Sequence, residues 1–364
     1  MRSIDHSTML ACIASLALVA CEKEAPTFPP ETDIRIRAIH EHFVFADMHA
    51  HPSRFHRADV ESIAAEEIEN YRSRHMDVVV ANISSDMAYS GGYTNRDGSR
   101  VERGQYRPEP GKAFELAADR MARLQSTFDG GLAVPALGPD DVLRARERGV
   151  LAIIPALEGA DALEGDIDNL TRLHAMGLRL IQLVHFRANE LGHIQTYPYS
   201  PGGLTEFGRR VVEEANRLGL VIDLAHANTE TIMDTLELST DPVIFSHGGL
   251  KAIEDADRAL SDDEVQAIAA HGGIVGIWPN GSAVKDVAAM VDLIEHVIAL
   301  AGPDHVGIGS DLRGMSSYAE GFGPEAEFRA IAAEMLARGH TADVVGKVMG
   351  GNFFRLWQQV AETG

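Results

Sequence analysis

Two histidines, His49 and His51, follow a short apolar run in the segment FADMHAHPSRF. Side chains two positions apart on an extended chain lie on the same side, so both imidazoles could reach one metal ion. The pair proves little alone, because the chain has 16 histidines. What decides its meaning is whether similar residues recur at equivalent places along the chain.

Metal-binding residue types do recur behind other apolar runs. They are Glu158, His185, His226, His247 and Asp311. Imidazole and carboxylate groups bind Zn²⁺ and similar divalent ions when no thiolate is available. A carboxylate can also bridge two ions, which then activate a shared water and polarise the carbonyl that it attacks. One histidine behind a strand is more often an ordinary loop or core residue, but the repetition predicts a metal site.

Ten other histidines are interpreted as surface, helix or loop residues. They are His40, His42, His56, His75, His174, His193, His271, His296, His305 and His340.

The elements that must position these groups are eight β-rich runs, each followed by a helix-like stretch. They lie at 43–48, 77–83, 150–157, 178–184, 220–225, 242–246, 273–278 and 305–310. Repeated β-α units within about 270 residues predict the α/β class and a (β/α)8 TIM barrel, in which the carboxyl ends of all strands converge on one mouth. A doubly wound open sheet is the alternative, although no G-x-G-x-x-G fingerprint follows the first run.

One further run complicates this count. LAVPAL, at 132–137, is predicted to lie outside the barrel, within an insertion of about 84–149 between the second and third barrel strands.

Composition excludes some partners and ligands. With 32 basic and 54 acidic residues, the net charge of -22 disfavours nucleic acid and anionic membrane surfaces as partners. The only cysteines are Cys12 and Cys21, near the N-terminus, so the mature domain has neither disulfides nor thiolate ligands. Any metal must therefore be held by His, Asp and Glu.

The N-terminus predicts export. The apolar stretch MLACIASLALVAC has the length of a signal-peptide core and ends in a sequence similar to a bacterial lipobox. We predict a lipoprotein signal peptide over 1–20, a lipid-anchored Cys21, a polar Pro-containing tether over 21–33 and a single barrel over 34–364. The protein would then lie on the periplasmic side of a bacterial membrane. A plain signal peptide, giving a soluble secreted or periplasmic protein, is the alternative.

The segment LEGADALEGDIDNLTRLHAMGLRLIQLVH resembles the signature of the membrane (renal) dipeptidase family of zinc peptidases. Further similar motifs follow in the family's order: DLAHANTETI, PVIFSHGGLKAI, DRALSDDEVQAIAAHGGIVGI, DHVGIGSDLRGM and VVGKVMGGNFFRLW. The resemblance implies a metal-dependent hydrolase barrel of the amidohydrolase-like group that cleaves dipeptides. It also implies that two copies of the chain pair.

The resemblance implies a ligand set for two zinc ions. Glu158 would bridge the ions, His49 would bind the first, and His226 and His247 would bind the second. His51 stands where the family usually has Asp, and it could still bind the first ion. This exchange would leave the site one charge more positive.

The resemblance also implies catalytic and substrate-binding roles. Asp311 would carry a proton from the attacking water to the leaving amine. His185 would stabilise the oxyanion, and Arg258 would hold the C-terminal carboxylate of the substrate. Ala259 follows Arg258 where the family commonly has Asn.

Two other functions stay open. A related barrel hydrolase could act on another amide, a lactam or an ester, and the departures at His51 and Ala259 motivate that alternative. A non-catalytic metal or peptide binder is the second alternative, but Asp311 argues against it because a binder has no need of a proton carrier.

Overall fold

The barrel is built from eight parallel strands. The computed structural model describes residues 28–57, 59–90, 108–196, 199–323 and 325–363. In chain order the strands are β1 Ala46–Ala50, β2 Val78–Ser84, β3 Ala133–Pro135, β4 Leu151–Glu158, β5 Leu180–Gln182, β6 Val221–Asp223, β7 Ile244–Leu250, β8 Ala259–Leu260, β9 Ile274–Ile277 and β10 Val306–Ile308. The barrel path is β1-β2-β4-β5-β6-β7-β9-β10.

Backbone hydrogen bonds just beyond β10 link it to β1. The Asp311 N–H donates to the His49 carbonyl and the His51 N–H donates to the Leu312 carbonyl, each over 2.8 Å. The sheet therefore returns to its first strand, which confirms the (β/α)8 barrel and shows that the doubly wound alternative is wrong.

Each of the eight predicted runs overlaps one barrel strand. LAVPAL forms the short strand β3, which pairs with β4 off the barrel path, as predicted. Strand β8 was not predicted; it has two residues and pairs with β7. A segment that short carries no readable alternation of apolar and polar residues.

Helices surround the barrel. They are α1 Pro30–His42, α2 Ala65–Ser73, α3 Met87–Ser90, α4 Lys112–Leu124, α5 Pro139–Glu147, α6 Asp168–Ala175, α7 Glu206–Arg217, α8 Thr229–Leu238, α9 Asp262–Ala270, α10 Val287–Ala301, α11 Phe328–Ala337, α12 Ala342–Gly346 and α13 Asn352–Thr363. Within the ranges that the structure describes, no helix combines the length and apolar character needed to cross a bilayer.

The predicted N-terminal segments lie mostly outside the described residues. The signal peptide, Cys21 and the tether up to residue 27 lie outside the described residues. Residues 91–107 of the predicted insertion also lie outside them. Helix α1 starts at Pro30, so residues 30–33, predicted as the end of the tether, form its first turn. Proline suits that position because it has no N–H to leave unbonded.

Apolar side chains form two layers along the strands. Val78 and Val80 belong to a cluster inside the barrel, whereas Val79 and Ala81 belong to the layer between the strands and the helices. The inner cluster also contains four residues of α13, which close the amino-terminal end of the barrel: Phe353, Leu356, Trp357 and Val360. The opposite end is left for polar groups.

Candidate metal centre

A change of register in β1 turns both histidines of the opening pair toward the mouth. Met48 belongs to the interior cluster and Ala50 to the outer layer, and the register of β1 against β2 shifts between Asp47 and Ala50. Such bulges re-aim side chains. The Nε2 atom of His49 lies 3.2 Å from Glu158 Oε1, and the Nε2 atom of His51 lies 3.3 Å from Glu158 Oε2.

Glu158, at the end of β4, lies at the centre of the cluster. Its Oε2 accepts a hydrogen bond of 2.6 Å from Ser84, and its Oε1 lies 3.3 Å from His185 Nε2 and 3.8 Å from His226 Nε2. Burial alone would raise the pKa of Glu158, but His185 and His51 hold that pKa well below its usual value. The group is therefore a carboxylate.

His226 follows β6, and His247 lies within β7. Their two rings face each other. Their Nε2 atoms are 3.2 Å apart, and burial lowers the pKa of both well below the usual value, so both are neutral. Two nitrogens that share a tetrahedral zinc ion, with bonds of about 2.0–2.1 Å, lie about 3.3 Å apart. His226 also adopts the left-handed conformation, with φ +70°, which is uncommon for a residue other than glycine.

The described residues offer three sets of potential ligand atoms that lie within 4.8 Å of one another. The sets are His49, His51 and Asp311; Glu158, His226 and His247; and His49, Asp223 and His247.

The donor set fits a divalent cation. His49 Nε2 is buried and has no hydrogen-bond partner, as expected of a nitrogen whose lone pair is kept for a metal. Burial lowers the pKa of His49. His51 differs: burial would lower its pKa, but the Glu158 carboxylate raises it to about 9. Metal binding by His51 would therefore release a proton.

Asp311, beyond β10, lies at the edge of the first set. Its Oδ1 is 3.5 Å from His51 Nε2 and 4.0 Å from His49 Nε2, and burial raises its pKa to about 7. Its φ is +45°. Gly314 packs so closely that a Cβ atom there would overlap the Asp311 carboxylate. The protein holds this group in a backbone conformation and a space that few residues would accept.

His185, after β5, is held by a carboxylate that the sequence analysis missed. Its Nδ1 lies 2.9 Å from Asp86 Oδ1, and Asp86 Oδ2 accepts the Phe186 N–H over 3.0 Å. Burial would lower the pKa of His185, but Asp86 and Glu158 raise it. Asp86 follows β2, just as the predicted site residues follow their strands. Its position in the sequence could therefore have identified it as a site residue.

Arg258 extends toward the same mouth and has no anionic partner among the residues that the structure describes. It donates to the side-chain oxygen of Gln195 and, over 3.3 Å, to the His247 carbonyl, and its guanidinium lies 5.2 Å from the centre of the Trp278 ring. No carboxylate of the described chain lies within 4.0 Å of it. Burial lowers its pKa to about 10. Gln195 lies in a loop with no pattern that could have revealed it.

The structure thus brings together every residue predicted for the site: His49, His51, Glu158, His185, His226, His247, Arg258 and Asp311. Of the ten histidines interpreted as surface, helix or loop residues, most of those with a hydrogen bond in the structure form it away from the site. His56 is different, because its ring lies 4.9 Å from that of His51 at the edge of the cluster. Asp223 and Ser246 were also missed; their signal was the one polar residue in each of the otherwise apolar runs LVIDLA and PVIFS.

The comparisons with known proteins agree with this geometry. The family model for membrane dipeptidase (peptidase family M19) matches residues 34–364. The chain is similar to dipeptidase tcpJ of Claviceps purpurea, with 32% identity over 69% of this chain and 58% of that protein. It is also similar to human dipeptidase 3, with 30% identity over 58% of this chain and 45% of that protein. The matches span about half the length of these curated relatives.

Solved structures share the fold. The probable dipeptidase PvdM of Pseudomonas aeruginosa superposes with a TM-score of 0.79 and 20% identity, covering 93% of this chain and 100% of that one. A metallopeptidase of Rhodobacter sphaeroides, solved with a phosphinate mimic of the dipeptide L-Ala-D-Ala, gives a TM-score of 0.75 and 23% identity, covering 87% and 99%. Because the family match extends over the whole barrel, this chain belongs to the membrane dipeptidase family.

Proposed function

We propose that this protein is a dipeptidase that hydrolyses one peptide bond at a centre of two zinc ions. One observation carries the proposal: in a chain of this family, the Glu158 carboxylate lies between two groups of histidines, with Oε2 3.3 Å from His51 Nε2 and Oε1 3.8 Å from His226 Nε2. Bound there, the ions would supply an activated water and polarise the scissile carbonyl.

The ligand assignment follows the contacts. His49 and His51 would hold one ion, His226 and His247 the other, and Glu158 would bridge them. His51 supplies a neutral nitrogen where relatives have an anionic oxygen, which makes the centre one charge more positive and favours a nitrogen-preferring ion such as zinc over magnesium.

Two side chains would transfer the proton and stabilise the oxyanion. Asp311, with its pKa raised to about 7, can take a proton at neutral pH and return it to the leaving amine. The raised pKa of His185 favours the imidazolium, which donates through Nδ1 to Asp86 and carries a second hydrogen on Nε2, beside Glu158, where it would face the oxyanion.

Arg258 provides the reason for a substrate with a free carboxylate. A largely desolvated guanidinium without a carboxylate partner is costly unless an anion binds it. The C-terminal carboxylate of a dipeptide meets that need with paired, charge-assisted hydrogen bonds. The dipeptide mimic bound by the metallopeptidase of Rhodobacter sphaeroides supports the same substrate class.

The test is the release of free amino acids from a panel of dipeptides by the purified mature protein. We expect a chelator to abolish turnover and added zinc to restore it. Dipeptide amides, which lack the carboxylate, serve as matched controls and should be poor substrates. If the zinc-loaded protein turned over no dipeptide, the proposal would be wrong.

A related hydrolase activity on another amide, a lactam or an ester is the second candidate. It is favoured by His51 and by Ala259, which gives Arg258 no side-chain partner from the next residue for holding the carboxylate. Faster turnover of lactams or N-acyl amides than of dipeptides would select this candidate.

We also propose export and lipid anchoring through Cys21, on the sequence alone. Replacement of Cys21 by Ser should release the protein from the membrane fraction, whereas a protein that is soluble before the replacement would support the plain signal peptide. Pairing of two copies, which the family resemblance implies, is tested by the sedimentation coefficient of the mature protein.

A further inference from the structure

One buried hydroxyl lies behind two of the proposed ligands. Ser246 Oγ is 2.5 Å from Asp223 Oδ2, 2.9 Å from His247 Nδ1 and 3.3 Å from His49 Nδ1. All four residues are almost completely buried. The nitrogens that face Ser246 are the ones turned away from Glu158, so this cluster forms the rear wall of the centre.

The hydrogen-bond capacity of a serine hydroxyl determines the direction of these bonds. A hydroxyl has one hydrogen to donate and two lone pairs to accept with. Asp223 Oδ1 already accepts the backbone N–H groups of Ala225 and Ser246, each over 2.9 Å. An ionised carboxylate has no hydrogen to donate, so the 2.5 Å contact with its Oδ2 takes the single hydrogen of Ser246.

Only the two lone pairs of Ser246 then remain for the two imidazoles. Each ring must approach with a hydrogen on Nδ1, because two acceptors cannot share a bond. A neutral imidazole with hydrogen on Nδ1 has its lone pair on Nε2. His49 Nε2 has no hydrogen-bond partner, and His247 Nε2 lies 3.2 Å from His226 Nε2. The nitrogens that carry the lone pairs are therefore the ones at the proposed metal positions.

We propose that Ser246, with its hydrogen held by Asp223, is a positioning residue that fixes the tautomers of His49 and His247 and so prepares one ligand of each zinc ion. A single hydroxyl thereby couples the two halves of the centre. The inference rests on the metal centre proposed above. Such groups behind a ligand orient the ring and raise its affinity for metal.

A competing interpretation makes Asp223 a ligand itself. Asp223, His49 and His247 form one of the sets whose ligand atoms lie within 4.8 Å. The atoms that face this space, however, are the two Nδ1 atoms and Oδ2, and all three are within hydrogen-bond distance of Ser246. The hydroxyl already occupies the place that an ion would need.

A second Asp–Ser pair provides a matched control. Ser310 donates to Asp47 Oδ2 over 2.5 Å, and its N–H donates to Asp47 Oδ1 over 2.9 Å, which repeats the Asp223–Ser246 arrangement at the junction of β10 and β1. Among the described residues, Ser310 contacts Asp47, the His49 carbonyl and the Leu312 N–H, and no histidine ring nitrogen. Its removal therefore reports the cost of losing a buried Asp–Ser bond without any change of tautomer.

The experiment measures zinc affinity by competition with a chromophoric chelator, and histidine tautomers of the metal-free protein by long-range ¹H–¹⁵N NMR. The variants are Ser246→Ala, Ser246→Thr, Asp223→Asn and, as control, Ser310→Ala. Ser246→Ala should weaken binding of both ions by about 10–100-fold, and Ser246→Thr should restore most of the affinity. Asp223→Asn should also weaken binding, because its amide can donate to Ser246 and turn the hydroxyl hydrogen toward an imidazole.

In the parent protein, NMR should find His49 and His247 with hydrogen on Nδ1. Hydrogen on Nε2 of either ring would overturn the inference even if the variants failed to fold. Unchanged affinity in Ser246→Ala, or an equal loss in Ser310→Ala, would also overturn it. Loss of one whole zinc equivalent in Asp223→Asn alone would make Asp223 a ligand. A parent that binds no zinc yet has these tautomers would contradict the proposed function and leave the tautomer assignment standing.

Discussion

The two ends of the barrel use the same eight strands for opposite purposes. At the amino-terminal end, four side chains of α13 pack against the first residues of the strands, and all four are almost fully buried and apolar. At the carboxyl-terminal mouth, a buried imidazole nitrogen lacks a partner, and two residues, His226 and Asp311, have positive φ angles. The amino-terminal end contributes stability, whereas the mouth holds strained and unpaired groups, as expected of a functional site.

The comparison predicts that substitutions at the mouth change function more than stability, and that substitutions at the closed end do the reverse. The sharpest case at the mouth is Glu158→Gln, which removes the charge shared by both histidine groups. We expect kcat/KM on a dipeptide to fall at least about a thousandfold, since metal ions contribute several kcal/mol to such transition states. Metal content of the purified variant, measured by mass spectrometry, should fall with it, and full metal content would contradict the bridging role.

The matching case at the closed end is Trp357→Ala. Deleting a large buried aromatic side chain leaves a cavity and typically costs about 3–5 kcal/mol of the free energy of unfolding. We expect that loss in urea denaturation, with kcat/KM per folded molecule nearly unchanged. A large fall in activity of the folded variant would show that the two ends are coupled.

Asp311→Asn tests the proton carrier without disturbing the backbone. Asparagine tolerates the left-handed conformation that Asp311 adopts at φ +45°, so the fold should be kept. The amide cannot carry a proton, and kcat should fall by about 10²–10⁴-fold. The control is the thermal midpoint, which should change little; retention of kcat would remove Asp311 from the chemistry.

Arg258→Lys separates binding from chemistry. Lysine keeps the charge but loses the paired geometry of the guanidinium, at a cost of about 1.5–3 kcal/mol, or about 10–100-fold in KM. Turnover of a dipeptide amide should be much less affected because it has no carboxylate to lose. Equal effects on both substrates would favour the second candidate function.

Asp86→Asn is expected to have the smallest effect. Its side-chain oxygen can still accept from His185 Nδ1, but the orienting charge is lost, and one atom that accepted the Phe186 N–H becomes a donor. We expect kcat to fall about tenfold with little change in KM, as for loss of a group that orients a catalytic residue. Steady-state kinetics checks this; a rise in KM alone would place His185 in substrate binding only.

The fold could be predicted from the sequence because strands buried on both faces appear as nearly continuous apolar runs. All eight runs overlap barrel strands. Strand β8 could not be predicted, since two residues have no periodicity. The bulge in β1, which turns His49 and His51 to the mouth, depends on pairing with β2 and leaves no local signal.

The site was predictable wherever chemistry coincided with a strand end. Parallel strands bring their carboxyl ends together, so residues far apart in the chain, such as His49 and Asp311, could be placed in one site. Asp223 and Ser246 lie within strands. A single polar residue in a buried strand does not by itself indicate a residue that hydrogen-bonds to metal ligands. Gln195 comes from a loop whose path depends on packing rather than on a sequence pattern.

The central claim is that both histidine groups, joined by Glu158, form one centre of two zinc ions that hydrolyses dipeptides. The most direct test is to titrate metal-free protein with zinc while bound metal and dipeptide hydrolysis are measured in the same samples. The account predicts uptake of two ions per chain, with full activity only when both are bound. Full activity without metal, or no uptake of zinc, would contradict it.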